Sequence, residues 1–318
     1  MRQIRTDLAM EAREFYCEQN KNREPEGVQM RTEERDGVLV TRVRIVNHRG
    51  EQLLGKPVGN YVTLECPELT TGNPDDAERI SRILSHELGR LLPEHCQSVF
   101  VAGLGNWNIT PDALGPKTAS KLFVTRHLKE FLPERRDAKE VCAISPGVLG
   151  LTGIETGEII KGIAASLKPD CVIAIDALAS RKMSRVNTTI QLSDTGISPG
   201  AGVGNHRFAL TKESIGVPVI GIGVPTVVDA ATIAGDAVEL LLQALHSQSQ
   251  KKEELQKLSV LLENPYDALR EVLHKENLIV APKDADFALS AVSNILASGL
   301  NLTFHPDFTY QELLQLQN

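Results

Sequence analysis

The sequence predicts an α/β fold, in which one domain has a central mixed sheet with helices on both faces. Between about residues 95 and 245, short apolar runs alternate with helical patterns, which favours strands joined by helices. The run at 171–175 is almost entirely apolar, as expected for a central strand that is covered on both sides. Residues 38–46 alternate between apolar and polar, which predicts an antiparallel element paired with residues 61–65.

Composition restricts the class of protein. The 318 residues include 34 Lys and Arg against 41 Asp and Glu, a net charge of −7, which argues against a general nucleic-acid binder. The five cysteines are scattered without a C-x-x-C pair, so we expect reduced thiols in a cytoplasmic protein. No apolar run approaches about 20 residues, and the opening MRQIRTDLAMEARE lacks the apolar core of a secretory signal. We therefore expect no membrane partner.

The helices of the N-terminal half follow from residue spacing. Leu8 and Ala12 recur at a helical interval behind Asp7, so we expect a helix over residues 7–16 that Asp7 caps. Residues 75–92 carry a single apolar stripe, which is typical of an amphipathic helix.

Beyond residue 140, strand and helix patterns alternate. Apolar runs predict strands at 141–144 and 217–224 in addition to 171–175. The residues after 296 carry no pattern that predicts an element. Helical patterns predict helices at residues 156–167 (capped by Thr156), 227–245, 251–262 and 284–296.

Residues 99–116 (VFVAGLGNWNITPDALGP) are the most informative stretch. A predicted strand leads directly into Gly103 and Gly105, where the absence of Cβ atoms allows a sharp turn and a close approach to another group. We take Gly103, Gly105 and Asn106 as candidate substrate-binding residues. The turn also resembles half of a dinucleotide fingerprint, but Asn108 stands where the third glycine would be. A nucleotide-binding module therefore remains as an alternative from a different functional class.

Two aspartates follow predicted strands. Asp112, behind a Thr-Pro cap, is expected in the first turn of a helix over 113–131, and Asp176 is expected to end the strand at 171–175. Because ligands bind beyond the carboxyl ends of such strands, both side chains can project from the same edge. Two facing carboxylates share a proton, so one can activate a water while the other donates to a carbonyl. The alternative is a first-turn acid at Asp112 and a loop cap at Asp176.

Other polar residues carry weaker signals. Ser145 lacks the G-x-S-x-G context of a nucleophile elbow. His206 with Asp194 could hold a metal or supply a base, although a lone histidine in a loop is more often a polar surface residue with no chemical role. Glu155, Asp229 and Lys182 lie near predicted strand ends and could line the site.

Six motifs make the sequence similar to one family. They are RTDLAMEA at 5–12, GLGNWNITPDALGP at 103–116, ISPGVLGLTGIET at 144–156, VIAIDALASR at 172–181, TTIQLSDTGISPGAGVGN at 188–205 and GVPVIGIGVPTVVDA at 216–230. Together they resemble the germination protease family of endospore-forming bacteria, the endopeptidases that degrade small acid-soluble spore proteins. A more distant similarity in fold links the chain to hydrogenase maturation endopeptidases, which also have G-x-G-N after a strand and an Asp-Ala step.

The resemblance implies an endopeptidase of unusual aspartic type that acts without a cofactor. The family's two essential aspartates fall on Asp112 and Asp176. Because the distant maturation peptidases bind nickel through acidic residues at corresponding places, a metal hydrolase is a second alternative. Substrates are cut after an acid, and Arg181, Lys182 and Arg185 follow Asp176 closely enough to be candidates for holding that acid. The alternative for these three cations is a solvated loop.

The resemblance also gives the N-terminus a role. Family members remove a short N-terminal segment themselves, and their substrates are cut within a Thr-Glu-Phe/Ile-Ala type of sequence. Thr6-Asp7-Leu8-Ala9 imitates that sequence, so we expect self-cleavage between Asp7 and Leu8. The chain then divides into a pro-segment, residues 1–7, and one peptidase domain, residues 8–318. The family also implies a homotetramer in the cytoplasm of the forespore and spore core, with disordered spore proteins as substrates and no direct nucleic-acid partner.

Overall fold

The computed structural model describes residues 6–128, 138–198, 208–230, 232–234, 237, 273 and 278–316. Within these ranges the strands form one mixed sheet with helices on both faces, which confirms the predicted α/β class. The strands are β1 (Val28–Arg35), β2 (Val38–Ile45), β3 (Gly59–Glu65), β4 (Ser98–Gly103), β5 (Glu140–Ile144), β6 (Cys171–Ser180), β7 (Thr189–Ser193), β8 (Val219–Asp229) and β9 (Ile279–Val280). The helices are α1 (Ala9–Gln19), α2 (His48–Leu54), α3 (Pro74–Leu91), α4 (Leu114–Ala119), α5 (Leu149–Thr152), α6 (Thr156–Leu167), α7 (Lys212–Ile215), α8 (Ala285–Phe304) and α9 (Tyr310–Leu316).

The sheet has an antiparallel half and a parallel half that meet at β8. Its order is β1-β2-β3-β7-β8-β6-β4-β5, and β9 pairs with the end of β8. Strands β1, β2, β3, β7 and β8 pair antiparallel, whereas β8, β6, β4 and β5 pair parallel. The predicted pairing of residues 38–46 with 61–65 is confirmed by β2 and β3.

Helices cover both faces of the sheet. Leu84 of α3 and Leu296 of α8 belong to the core on one face, and Ile160 of α6 belongs to the core on the other. A third cluster joins Leu8, just before α1, to Val43 of β2 and other side chains. In the part of the chain that is described, α8 is long and apolar enough to span a bilayer, but 67% of its most apolar window is buried, as in the core helix of a globular protein.

Three predicted elements have different ends. Within the described part of the helix predicted over 113–131, the chain forms α4 and a 3₁₀ turn, Arg126–Leu128, and another 3₁₀ turn, Thr110–Asp112, precedes α4. Asp112 therefore lies before the helix rather than in its first turn. The strand predicted to end at Asp176 continues to Ser180, because its later residues still pair with β8. Residues 227–229, predicted to begin a helix, form the end of β8 instead, because they pair with β6 and β9.

Capping and the C-terminal region also differ from expectation. Leu8 is the N-cap of α1, so Asp7 does not cap that helix. Glu155 rather than Thr156 precedes the first turn of α6. Helix α8 extends well past the predicted end at residue 296, because its second half is buried in the core beside α3. The helix predicted at 251–262 and His206 lie outside the described residues.

Candidate active site

Asp112 is held against two central strands. The Leu104 N–H donates to the Ile175 carbonyl of β6 over 2.8 Å, which attaches the segment after β4 to the next strand. The Thr226 hydroxyl of β8 donates to the Pro111 carbonyl over 2.7 Å, which fixes the 3₁₀ turn itself. The position of Asp112 therefore depends on both β6 and β8.

The glycines after β4 allow the backbone to approach Asp112 closely. Gly105 has φ of +114°, and a Cβ there would lie 1.9 Å from the Asp112 carbonyl oxygen. A Cβ on Gly103 would lie 2.3 Å from the Gly115 carbonyl oxygen. The Asn106 N–H donates to the Asp112 carbonyl over 3.1 Å. The turn is thus packed tightly against the backbone at Asp112, and this packing positions Asp112.

Asp176 lies inside β6, just past the point where its pairing with β4 ends. Strand β4 ends at Gly103, which pairs with Ile175, so the next residue of β6 stands at an opening in the sheet. Side chains alternate between the two faces of a strand, so Asp176 lies on the same face of β6 as Ala174 and Leu178. Both of these residues belong to buried clusters. The Asp176 side chain is 5% exposed, and its Oδ1 accepts the Ala177 N–H over 3.0 Å.

Asp112 and Asp176 line one pocket of about 280 Å³, which we call the aspartate pocket. Gly105 and Glu155 line it too. Its walls are otherwise mostly apolar, with Leu104, Ile109, Pro111, Val148, Leu178, Phe208, Leu210, Val227 and Ile279 among the lining residues. Carboxylates that share an apolar pocket are a common arrangement for acid–base chemistry.

The N-terminal segment enters this same pocket. Asp7 lines it together with the two other aspartates. The Asp7 N–H donates to the Ala179 carbonyl over 3.1 Å, and the Ala179 N–H donates to Asp7 Oδ2 over 2.9 Å. The Lys56 ammonium donates to the Thr6 carbonyl over 3.3 Å. Residues 6 and 7 therefore run beside the end of β6 that continues past β4, with Asp7 in the pocket lining and Leu8 fully buried.

The three cations proposed to hold a substrate acid lie elsewhere. Among the described residues, the lining of the aspartate pocket includes none of Arg181, Lys182 and Arg185. Instead these residues pair with glutamates of α1, and we call this set the α1 ion-pair cluster. Its contacts are Arg181–Glu18 at 2.8 Å, Lys182–Glu14 at 2.8 Å, Arg185–Glu14 at 2.6 Å and Arg185–Glu11 at 3.1 Å.

Arg185 is the centre of the α1 ion-pair cluster. Its side chain is 8% exposed and also pairs with Glu65 of β3 at 2.9 Å. Burial alone would raise the pKa of Glu14, but hydrogen bonds from Arg185 and Lys182 outweigh it and lower that pKa to about 2. The cluster therefore fastens α1 to the loop after β6 through ion pairs.

Gln191 of β7 is a site residue that sequence analysis missed. Its Nε2 donates to the Asp7 carbonyl over 3.1 Å, and its Oε1 accepts the Ala9 N–H over 2.7 Å. A glutamine within a short strand matches no catalytic motif, so only the three-dimensional contacts reveal it. As for metals, the residues described contain no group of three or more His, Cys, Asp or Glu side chains that could hold an ion.

Comparison with known proteins agrees with the motifs. A family model described as germination protease matches residues 8–270. This chain belongs to the germination protease family. Germination proteases of Caldanaerobacter subterraneus subsp. tengcongensis and Clostridium acetobutylicum are 49% and 44% identical to it, covering 98% and 100% of both chains. That of Bacillus subtilis is 40% identical and covers 95% of this chain and 93% of its own.

Family membership confirms the resemblance predicted from the six motifs and makes the chain a protease, a hydrolase of peptide bonds. Among solved structures, the [NiFe] hydrogenase maturation protease HycI from Thermococcus kodakarensis KOD1 is 23% identical. The match covers 44% of this chain and 80% of that one with a TM-score of 0.30, a likeness that carries no argument about the fold.

Proposed function

We propose that this protease is a self-processing endopeptidase of aspartic type, with Asp112 and Asp176 as its catalytic carboxylates. The observation that carries the proposal is that both carboxylates line one pocket together with Asp7. The ionised carboxylate takes a proton from a water, whose oxygen attacks the peptide carbonyl while the protonated partner donates to the carbonyl oxygen. The C–N bond then breaks as the carboxyl group that took the water's proton gives it to the leaving amine, and the other carboxylate takes back a proton from the gem-diol oxygen, which restores the starting pair. Because the two carboxyl groups share one proton, the roles of general base and general acid are assigned to the pair and not to either aspartate alone.

The bond cut during self-processing is Asp7–Leu8. Its support is the position of Asp7, which lies beside β6 within the aspartate pocket. Cleavage there releases a pro-segment of residues 1–7 and leaves a peptidase domain of residues 8–318. Helix α1 begins at Ala9 and is fastened by the α1 ion-pair cluster, so the new N-terminus stays in place after the cut.

The substrates in trans are small acid-soluble spore proteins, which are degraded from the start of germination in the forespore and spore core. A disordered chain can lie extended beside β6, as residues 6 and 7 do, without unfolding anything first. The family resemblance also leads us to propose a homotetramer that acts without a cofactor.

The test is incubation of the purified full-length chain with a small acid-soluble spore protein, with and without a chelator, followed by intact mass. We expect one cut after the acid of the Thr-Glu-Phe/Ile-Ala sequence, loss of residues 1–7, and no effect of the chelator. D112N and D176N should each abolish both cuts without changing the melting temperature. E158Q, on the exposed side of α6, is the matched control and should keep both. Retained turnover in either aspartate variant refutes the pair.

A further inference from the structure

The Gln191 side chain contacts the backbone on both sides of the Asp7–Leu8 bond. Its amide donates to the Asp7 carbonyl oxygen over 3.1 Å and accepts the Ala9 N–H over 2.7 Å. A carbonyl requires a donor and an N–H requires an acceptor, so only one orientation of the amide satisfies both contacts. The nitrogen therefore faces the carbonyl whose peptide bond is cut in the proposed function.

Gln191 is rigidly placed. It pairs with Thr63 of β3 and Gly223 of β8, so its strand is held on both edges. The side chain is 8% exposed. It lines a second cavity of about 90 Å³, which shares Asp7 and Leu178 with the aspartate pocket. Asp7 therefore lines both the cavity that holds the two aspartates and the cavity that holds Gln191.

We propose that Gln191 is a catalytic residue, whose side-chain N–H stabilises the negative charge that develops on the carbonyl oxygen when water attacks. This inference rests on the proposed function, because it takes Asp7–Leu8 as a cleaved bond. A fixed donor in a buried site stabilises the developing oxyanion more than the neutral carbonyl, so it accelerates the reaction rather than only binding the chain. The Oε1 contact with the Ala9 N–H fixes the backbone two residues beyond the cut.

Both contacts of the amide are to backbone atoms. The same pair of hydrogen bonds is therefore available to any extended peptide, whatever its side chains. We infer that Gln191 holds substrate proteins in the same way, donating to the carbonyl that precedes the cut and accepting from the second N–H that follows it.

The experiment compares rates of self-processing, measured by intact mass, across pH for the full-length wild type, Q191E, Q191A and T189V. Q191E keeps the size and the acceptor but has no donor while its carboxyl is ionised; when protonated, that carboxyl donates again. Thr189 is the matched control, because it lies two residues away on β7 and is fully buried. Its hydroxyl has no hydrogen-bond partner within the described part of the chain.

We expect Q191E and Q191A to process about 100- to 1,000-fold more slowly than wild type at neutral pH, and T189V to match wild type. The ratio of Q191E to wild type should rise as the pH falls through the carboxyl range, whereas that of Q191A should stay flat. A merely structural role for Gln191 predicts no such recovery.

Wild-type processing after Asp7 tests the proposed function, and the ratios of variant to wild type test this inference. Wild type that never loses residues 1–7 refutes the proposed function. If wild type is cut and the rate of self-processing of Q191E is within about threefold of the wild-type rate at neutral pH, only the role of Gln191 is overturned. Equal loss in Q191E and Q191A at every pH also overturns it, even if both variants are destabilised, because a donor would then be irrelevant.

Discussion

Two sets of acidic side chains in this protein have opposite surroundings. Glu11 and Glu14 of α1 pair with the buried guanidinium of Arg185. Asp112 and Asp176 line a pocket whose other walls are mostly apolar. The glutamates make contacts that hold a helix in place, whereas the aspartates face a space that a peptide can enter.

The difference separates structural acids from candidate catalytic acids. A buried carboxylate matched by a guanidinium is locked in its ionised form and cannot exchange a proton near neutral pH. A pair of carboxylates beside an apolar space can share one. The cations of the loop after β6 were expected to bind the acid of a substrate. In the structure they pair with the glutamates of α1 instead.

Removing Arg185 tests the structural side of the comparison and should have the largest effect. R185Q leaves the fully buried Glu11 opposite a neutral side chain and takes one partner from the half-buried Glu14, so we expect a loss of about 3–5 kcal/mol in the free energy of unfolding. Urea unfolding measures it. The control is R82Q on α3, whose pair with Glu78 is exposed and should cost less than about 1 kcal/mol. A loss as small for R185Q as for R82Q would contradict a structural role.

The same cluster should make stability depend on pH in acid. The pKa of Glu14 is lowered to about 2 in the folded protein from an ordinary value near 4.5. A lowered pKa stabilises the fold above the ordinary value, and this contribution is lost as the pH falls from about 4.5 towards 2. Because solvent screens this part-exposed group, we expect a total of about 1–2 kcal/mol. Melting temperatures across this range measure it. E14Q should be less stable than wild type at neutral pH and converge with it near pH 2, whereas E158Q should follow wild type throughout.

The contrast between the halves of the sheet explains how much could be predicted from sequence. The parallel strands β4, β6 and β8 are buried on both faces, so they are continuous apolar runs that sequence analysis identifies directly. The polar edge strand β1 was missed because it is largely exposed and has no apolar alternation. Strand β7 was missed because it is short and mixes polar with apolar residues.

The site divides in the same way. The convergence of Asp112 and Asp176 in one pocket was predicted, because strand ends in a parallel sheet share an edge. Gln191 was not, because it comes from the antiparallel half and reaches the N-terminal segment across 184 residues of chain. No local pattern encodes a contact of that separation.

On the catalytic side, Gly105 tests how strictly Asp112 must be placed. In G105A, the new Cβ would collide with the Asp112 carbonyl at a positive φ, so the turn has to shift. A displacement near 1 Å typically costs about 100-fold in rate, and we expect that loss in self-processing with the protein still folded. The control is G89A, where a Cβ meets nothing within 4 Å and should stabilise α3 slightly. Equal rates in the two variants would show that the glycine does not position Asp112.

The smallest effect is expected for Thr226, which links β8 to the turn that carries Asp112. T226V keeps the shape but removes the 2.7 Å hydrogen bond to the Pro111 carbonyl, so we expect a loss of about 1 kcal/mol in stability. Thr63 is the control, because its buried hydroxyl has no partner among the residues described and T63V should not lose a hydrogen bond. If β8 positions the Asp112 carboxylate, T226V should also lower the rate of self-processing several-fold, whereas T63V should leave it unchanged under the same conditions. If only stability falls, the turn is held by the glycines and by β6 alone, and the catalytic side of the molecule is independent of the strand that joins its two halves.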